Sequence, residues 1–234
     1  MKFRDVGNVV LDRGSRALLG LRLGLQNALA LTHRYQPDPF SPIEGQRDPR
    51  ACEARFVAMS RATADLARPS VMDIGCNQGF FTFRFAQRGG VCFGIDNDRS
   101  ELMTARARAA LAGVRNVAFM ELTLDEKSVM GLPRTDIVVC LSIYHHWVRY
   151  FGRDSADAVL AAIAGRATEA LVFDTGQPEE TETRWARELE FMKPTGREWI
   201  ADRLSEFGFA SVSHLGRFPT SLSPVPRDLF VARR

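Results

Sequence analysis

The chain has 234 residues, 45% hydrophobic and 25% charged, with 18 glycines and 11 prolines. That is the length of one domain with apolar mass for a full core, and it excludes collagenous, low-complexity and wholly disordered classes. A net charge of +3 gives no electrostatic basis for a DNA partner, and no apolar run is long enough to span a membrane.

The positive charge is carried by arginine, since only Lys2, Lys127 and Lys193 among the 31 basic residues are lysine. Coding bias is the bland reading. Bidentate recognition of phosphate or carboxylate is the sharper one for individual arginines. Cys52, Cys76, Cys92 and Cys140 form no CxxC pair and sit in apolar contexts. Buried reduced thiols and a reducing, cytoplasmic compartment are expected. The N-terminus lacks the uninterrupted apolar region and cleavage site of a signal peptide.

In chain order, residues 1–45 are expected to form a helical extension and linker, and residues 46–234 the main domain. Leu18, Leu21, Leu25 and Leu29 recur at helical spacing within Val9–His33, with Arg13, Arg16 and Arg22 between them. A helix packed on the domain or a dimer contact is the first reading. A basic helix lying on an anionic membrane surface is the second. Pro37, Pro39 and Pro42 then make a linker that cannot be helical. A second helix, about Pro49 to Ala67, carries Cys52, Phe56, Met59 and Leu66 on one face.

After Pro69 short apolar runs alternate with helical segments. Strands are expected at Val71–Ile74, Val91–Ile95, Val117–Leu122, Asp136–Leu141 and Ala170–Phe173. The intervening helices run about Gly79–Arg88, Arg99–Ala112 and Ala156–Ala167. This alternation predicts an α/β fold with an open parallel sheet covered on both faces. A helix at Thr195–Phe207 and strands at Ala210–Leu215 and Leu229–Ala232 follow, compatible with a final antiparallel strand.

The first strand runs into Asp73-Ile74-Gly75-Cys76-Asn77-Gln78-Gly79. Gly75 and Gly79 flank a tight strand-to-helix turn that a ligand can approach closely. Position 77 is Asn, so the GxGxxG dinucleotide fingerprint is absent and a pyrophosphate cradle is disfavoured. Asp96, at the tip of the second strand and followed by Asn97, is placed to accept hydrogen bonds from both ribose hydroxyls. Asp73 suits a ligand bearing an ammonium group. An adenosine with an amino-acid tail fits this pattern better than one with phosphates.

The D-x-G-x-x-x-G turn and the later Gly94-Ile95-Asp96 resemble motif I and the acidic loop of class I S-adenosylmethionine-dependent methyltransferases. The resemblance covers about Pro69 to Arg234. It implies a Rossmann-like sheet of seven strands, mostly parallel with the last antiparallel, and S-adenosyl-L-methionine as cofactor. It also implies adenine near Thr123 and Leu124, and the sulfonium near Leu141 and Ser142. Beyond them lie Tyr144, His145 and His146, with the two histidines as candidates for a general base or for anchoring the acceptor. No carboxylate cluster is spaced for a catalytic metal.

Three blocks narrow the resemblance to the methyltransferase part of bacterial O-antigen chain terminators. They are Asp73, Gly75, Cys76, Gln78 and Gly79 in the turn, Leu141, Ser142, His145 and His146 after the fourth strand, and Leu222–Arg227 near the end. An upstream Cys-x-x-Arg is matched by Cys52 and Arg55. Proteins of that family phosphorylate the last sugar of a lipopolysaccharide chain and methylate that phosphate. The resemblance makes Arg55, Tyr144, Ser223 and Arg227 candidate acceptor contacts. Two departures leave the acceptor open: a following kinase domain is not expected after Arg234, and Trp185–Pro194 diverges.

The expected function is O-methylation of a glycan hydroxyl or sugar phosphate by in-line displacement at the methyl carbon. Methylation of a small metabolite is the runner-up. RNA is disfavoured by the weak charge, and a non-catalytic cofactor-binding subunit by the intact Asp73, Gly75, Gly79 and Asp96. A nicotinamide dehydrogenase is disfavoured by the glycine spacing.

Overall fold

The computed structural model describes residues 36–41 and 46–234. The helix expected at Val9–His33 lies outside the described residues. Among the described residues seven strands form one sheet in the order β3-β2-β1-β4-β5-β7-β6. They are β1 (Val71–Ile74), β2 (Cys92–Asp96), β3 (Val117–Glu121), β4 (Thr135–Leu141), β5 (Ala167–Asp174), β6 (Ser211–Phe218) and β7 (Arg227–Arg233). The pairs β1–β2, β1–β4, β2–β3 and β4–β5 are parallel, while β7 runs antiparallel to both its neighbours. This is the expected sheet. The helices are α1 (Cys52–Ala62), α2 (Phe80–Ala86), α3 (Arg99–Ala112), α4 (Glu126–Met130), α5 (Tyr144–Phe151), α6 (Arg153–Ala164) and α7 (Gly196–Glu206). Among the described residues no helix is long and apolar enough to cross a membrane.

Strand periodicity sends alternate residues into two cores. Met72, Ile74, Val138, Cys140, Leu171 and Phe173 face one, under α5, α6 and α7. Val71, Ile137, Val139 and Val172 face the other, against α1 and α2. The near-continuous apolar runs of β1, β4 and β5 follow from burial on both faces. All four cysteines are free and buried, as expected.

Several boundaries differ from the sequence reading, each for a local reason. Helix α1 ends at Ala62 rather than Ala67, because Arg88 takes the carbonyls of Thr63 and Leu66 and the Thr63 hydroxyl. Strand β5 begins at Ala167, where the helix was expected to reach, because Ala167 pairs with Thr135 of β4. Helices α4 and α5 were not anticipated. Asp125 and Ser128 close a capping box on α4. Tyr144, Trp147 and Val148 bury one face of α5 at helical spacing, although no side chain caps its start.

The Pro-rich segment before α1 packs on the domain. Phe40 meets Phe83 edge-on at 4.8 Å, and the Gln36 side-chain oxygen accepts the Phe80 amide at 3.1 Å. The Asp73 carboxylate accepts the Thr82 amide at 3.0 Å and its hydroxyl at 2.7 Å. Two of the N–H groups at the start of α2, those of Phe80 and Thr82, are therefore claimed from within the chain. That leaves fewer amides at this turn for a phosphate.

Candidate active site

The carboxyl ends of β1, β2 and β4 open into a cleft of about 370 Å³, a size that suits a nucleoside-bearing ligand. Gly75, Asn77, Asp96, Asn97, Thr123, Leu124, Leu141 and Ser142 line it, as expected from the sequence, together with His146. Gly75 and Asn77 both sit at positive φ, 71° and 51°. A Cβ on Gly75 would stand 3.0 Å from Ile143. Asp96 holds this turn: one carboxylate oxygen accepts the Asn77 amide at 2.7 Å and the other the Asp98 amide at 2.9 Å. The Asn77 side-chain oxygen is buried with no hydrogen-bond partner among the described residues, an acceptor presented at the edge of the cleft.

Two other residues of the turn act differently from the expectation. Cys76 is buried, with its sulfur 2.8 Å from where a Cβ on Gly94 would stand, so it packs behind the turn. Gly79 (φ 82°) is required by Phe119, whose ring a Cβ would meet at 2.8 Å, rather than by a ligand's approach.

A smaller recess adjoins the cleft, and Gly75, Leu141 and Ser142 line both. Asp73, Arg55, Arg50 and Gln36 also line the recess. The Asp73 carboxylate and the Arg50 guanidinium match the ammonium and carboxylate of an amino-acid tail. Asp73 is buried, and burial raises its pKa from 3.8 to about 7 against the opposing Thr82 hydrogen bonds, with Asp96 adding to the rise. An arriving ammonium favours the ionised form. Affinity for S-adenosylhomocysteine should therefore fall as pH drops below about 7, approaching tenfold per pH unit, and level off above it. Calorimetric titration across pH 5.5–8.5 reads this, and Asp73→Asn should flatten the profile. The linked effect on stability has the opposite sense. Between about pH 4 and 7 the native state holds this proton longer than the unfolded chain, so this group's contribution to stability declines as pH rises.

Beyond Ser142, the edge of the cleft is built on ion pairs. Arg227 is buried and grips Glu180 through Nε at 2.8 Å and Nη2 at 2.9 Å, while Nη1 donates to the Ser142 hydroxyl at 3.1 Å. Ser142, at φ 59°, donates its amide and hydroxyl to one Asp174 oxygen, and Arg55 pairs with the other. The chain Arg55–Asp174–Ser142–Arg227–Glu180 thus joins three of the sequence blocks. Trp185 packs against His145 at a tilt, with centroids 4.5 Å apart, and lies under the Arg227 guanidinium at 5.4 Å.

Two candidate acceptor contacts lie elsewhere. Tyr144 is fully buried among Phe173 and Trp199, and its hydroxyl donates to Asp157. It is the first residue of α5, and its ring falls on the core face of that helix. Ser223 is buried in the Pro-rich loop, where its hydroxyl accepts the Val225 amide at 3.1 Å and lies 3.4 Å from Glu182. It shapes that loop and does not line the cleft.

The two histidines are not equivalent. His145 is 1% exposed. Its Nδ1 accepts the Gly176 amide at 3.0 Å and lies 3.1 Å from the Thr175 hydroxyl. Burial, with Arg227, His146 and Arg50 adding, pushes its pKa well below 6.5. His146 lies at the mouth of the cleft, and the same forces, led by desolvation and then Arg227, lower its pKa too. Gly176, Thr175, Glu180, Asp174, Gln36 and Arg50 had no motif to mark them in the sequence. Gly176 would have been the hardest to find: a Cβ there would stand 2.5 Å from the Trp185 ring nitrogen and 2.9 Å from His145.

Residues 71–167 match the family model of a methyltransferase domain. The chain is 28% identical over 175 residues to the O-antigen chain terminator bifunctional methyltransferase/kinase WbdD of Escherichia coli, covering 74% of this chain and 23% of that protein. A solved WbdD structure superposes with a TM-score of 0.74 at 27% identity, over 90% of this chain and 45% of the other. A ubiquinone biosynthesis O-methyltransferase of Acinetobacter baumannii is 28% identical over 81 residues, 35% of this chain and 34% of its own. Magnesium protoporphyrin IX methyltransferase from Synechocystis, solved with S-adenosylhomocysteine, shares the fold at a TM-score of 0.56 and 17% identity, over 92% of this chain and 99% of its own. The chain spans less than a quarter of the curated WbdD protein. With its 3-2-1-4-5-7-6 sheet, a nucleoside-sized cleft lined by Asp96 and these relatives, the chain carries an S-adenosylmethionine-dependent methyltransferase domain of the class I fold.

Proposed function

We propose that the enzyme methylates an oxygen of a glycan acceptor, in the modification of a polysaccharide. One observation carries this reading: the segments that match the O-antigen chain terminators converge at one edge of the cleft. Ser142 receives Arg227 at 3.1 Å and contacts the Asp174 that pairs with Arg55, while the tilted rings of His145 and His146 lie beside them with centroids 4.2 Å apart. Segments far apart in sequence meet where the methyl group would be presented. The name of the WbdD relatives supports an acceptor at the end of a bacterial surface glycan.

The cofactor supplies the activated methyl group. The chain's own residues supply placement: Asp96 and Asn77 for the ribose, Thr123 and Leu124 for adenine, Asp73 with Arg50 for the amino-acid end. Ser142 is held beside the sulfonium by the ion-pair chain. Placement of the acceptor oxygen in line with the methyl carbon is the main catalytic contribution. The same reading puts the enzyme in the cytoplasm, with residues 9–33 as a dimer or membrane-surface contact.

The test is transfer of label from tritiated-methyl S-adenosylmethionine to a panel of methyl glycosides, short oligosaccharides and their phosphate monoesters, beside catechols and other small phenols. Label in a saccharide is the expected result. Label only in the phenols overturns the glycan reading in favour of a small-metabolite methyltransferase.

A further inference from the structure

We infer that the methyl acceptor is a neutral hydroxyl rather than a phosphate oxygen, and that His146, not His145, takes its proton. This rests on the glycan reading above and names the atom within it.

The first argument is the disposition of charge. A phosphate monoester reaches neutral pH as an anion, needs no base and calls for guanidinium donors with free N–H groups. Arg227 commits Nε and Nη2 to Glu180 and Nη1 to Ser142. Arg55 is paired with Asp174. Each of these buried arginines is matched by a buried carboxylate, and a phosphate binding there would have to displace one or the other.

The second argument is tautomeric. Nδ1 of His145 accepts the Gly176 amide, and the Thr175 hydroxyl lies within hydrogen-bond reach of the same nitrogen. Its proton therefore sits on Nε2, so the neutral ring has no nitrogen left to receive another. His146 differs. Neither of its ring nitrogens is hydrogen-bonded by the described residues, and the side chain lines the cleft together with Gly75 and Ser142. The ring is held from one side by His145 at 4.2 Å and lies nearly parallel to Tyr150 at 6.4 Å and 18°. Desolvation first, then Arg227 on β7, Arg149 on its own helix and Arg50 before α1, disfavour its protonation, so it stands ready as a neutral acceptor.

The step balances. As the O–CH3 bond forms, the S–CH3 bond breaks and its electron pair stays on sulfur, giving S-adenosylhomocysteine. The hydroxyl proton passes to an imidazole nitrogen of His146 and then to solvent.

The test has two readouts. With the saccharide panel above, label is expected in an alkali-stable methyl ether, and His146→Gln should lower kcat by about 100-fold or more and remove the rise of kcat with pH below about 6.5. Label in a methyl phosphate ester overturns the inference while leaving the glycan reading standing. Label in no saccharide overturns both. A His146→Gln enzyme within threefold of the parent also overturns it. Independently of turnover, spectra of 15N-histidine-labelled protein with S-adenosylhomocysteine should show His145 fixed as the Nε2–H tautomer and His146 neutral at pH 7.5. A proton on His145 Nδ1, or a charged His146 at that pH, overturns the assignment.

Discussion

Asp96→Ala should weaken S-adenosylhomocysteine binding by about 100-fold or more, measured by calorimetry on folded protein. The carboxylate at the tip of β2 has two tasks. It accepts the amides of Asn77 at 2.7 Å and Asp98 at 2.9 Å, which holds Asn77 at φ 51°. It also lines the cleft, with lone pairs left to accept the hydroxyls of a ribose. A hydrogen bond to a charged group contributes about 1.5–3 kcal/mol, and two lost together exceed the roughly 2.8 kcal/mol of a hundredfold change. Asp96→Asn retains one acceptor oxygen without the charge and should fall between. Binding within threefold of the parent in Asp96→Ala would place the ribose elsewhere.

Arg227→Met should cost about 3–5 kcal/mol of unfolding free energy, measured by urea denaturation. Glu180 is completely buried, and removing its partner leaves a charge with neither solvent nor counter-ion. The Arg227→Met, Glu180→Gln double variant removes both charges and should recover much of that loss. The recovery separates the cost of an unpaired buried charge from loss of packing against Trp185. A single variant that loses less than about 1 kcal/mol would mean the pair is hydrated in solution. Activity should follow a different pattern. Both variants release the Ser142 hydroxyl from Arg227, so the double variant should regain stability without regaining turnover.

Much of the cofactor half of the site was legible in the sequence. Motif I encodes a local turn, so Asp73, Gly75, Asn77 and Gly79 declare themselves by spacing, and Asp96 follows at the end of the next strand. Even there, the neighbours changed some roles. Gly79 yields space to Phe119, and Asp73 meets the start of α2 as well as the recess. The acceptor half was less legible. Tyr144 reads as a site residue beside two histidines, but helix α5 turns it into the core toward Asp157. Arg55 and Arg227 read as unpartnered cations, since nothing in a linear sequence says that Asp174 and Glu180 will stand against them.

By itself the sequence determined the alternation of strands and helices, the buried cores on both sheet faces and the turn that accepts a nucleoside. These depend on local spacing and periodicity, which a linear pattern records directly. Only the tertiary structure decided which charges remain unmatched and which histidine has nitrogens to offer. Those properties depend on partners brought from β5, β7 and the loop between Thr175 and Glu180. The electrostatics of a buried group are set by neighbours in space, whatever their distance along the chain.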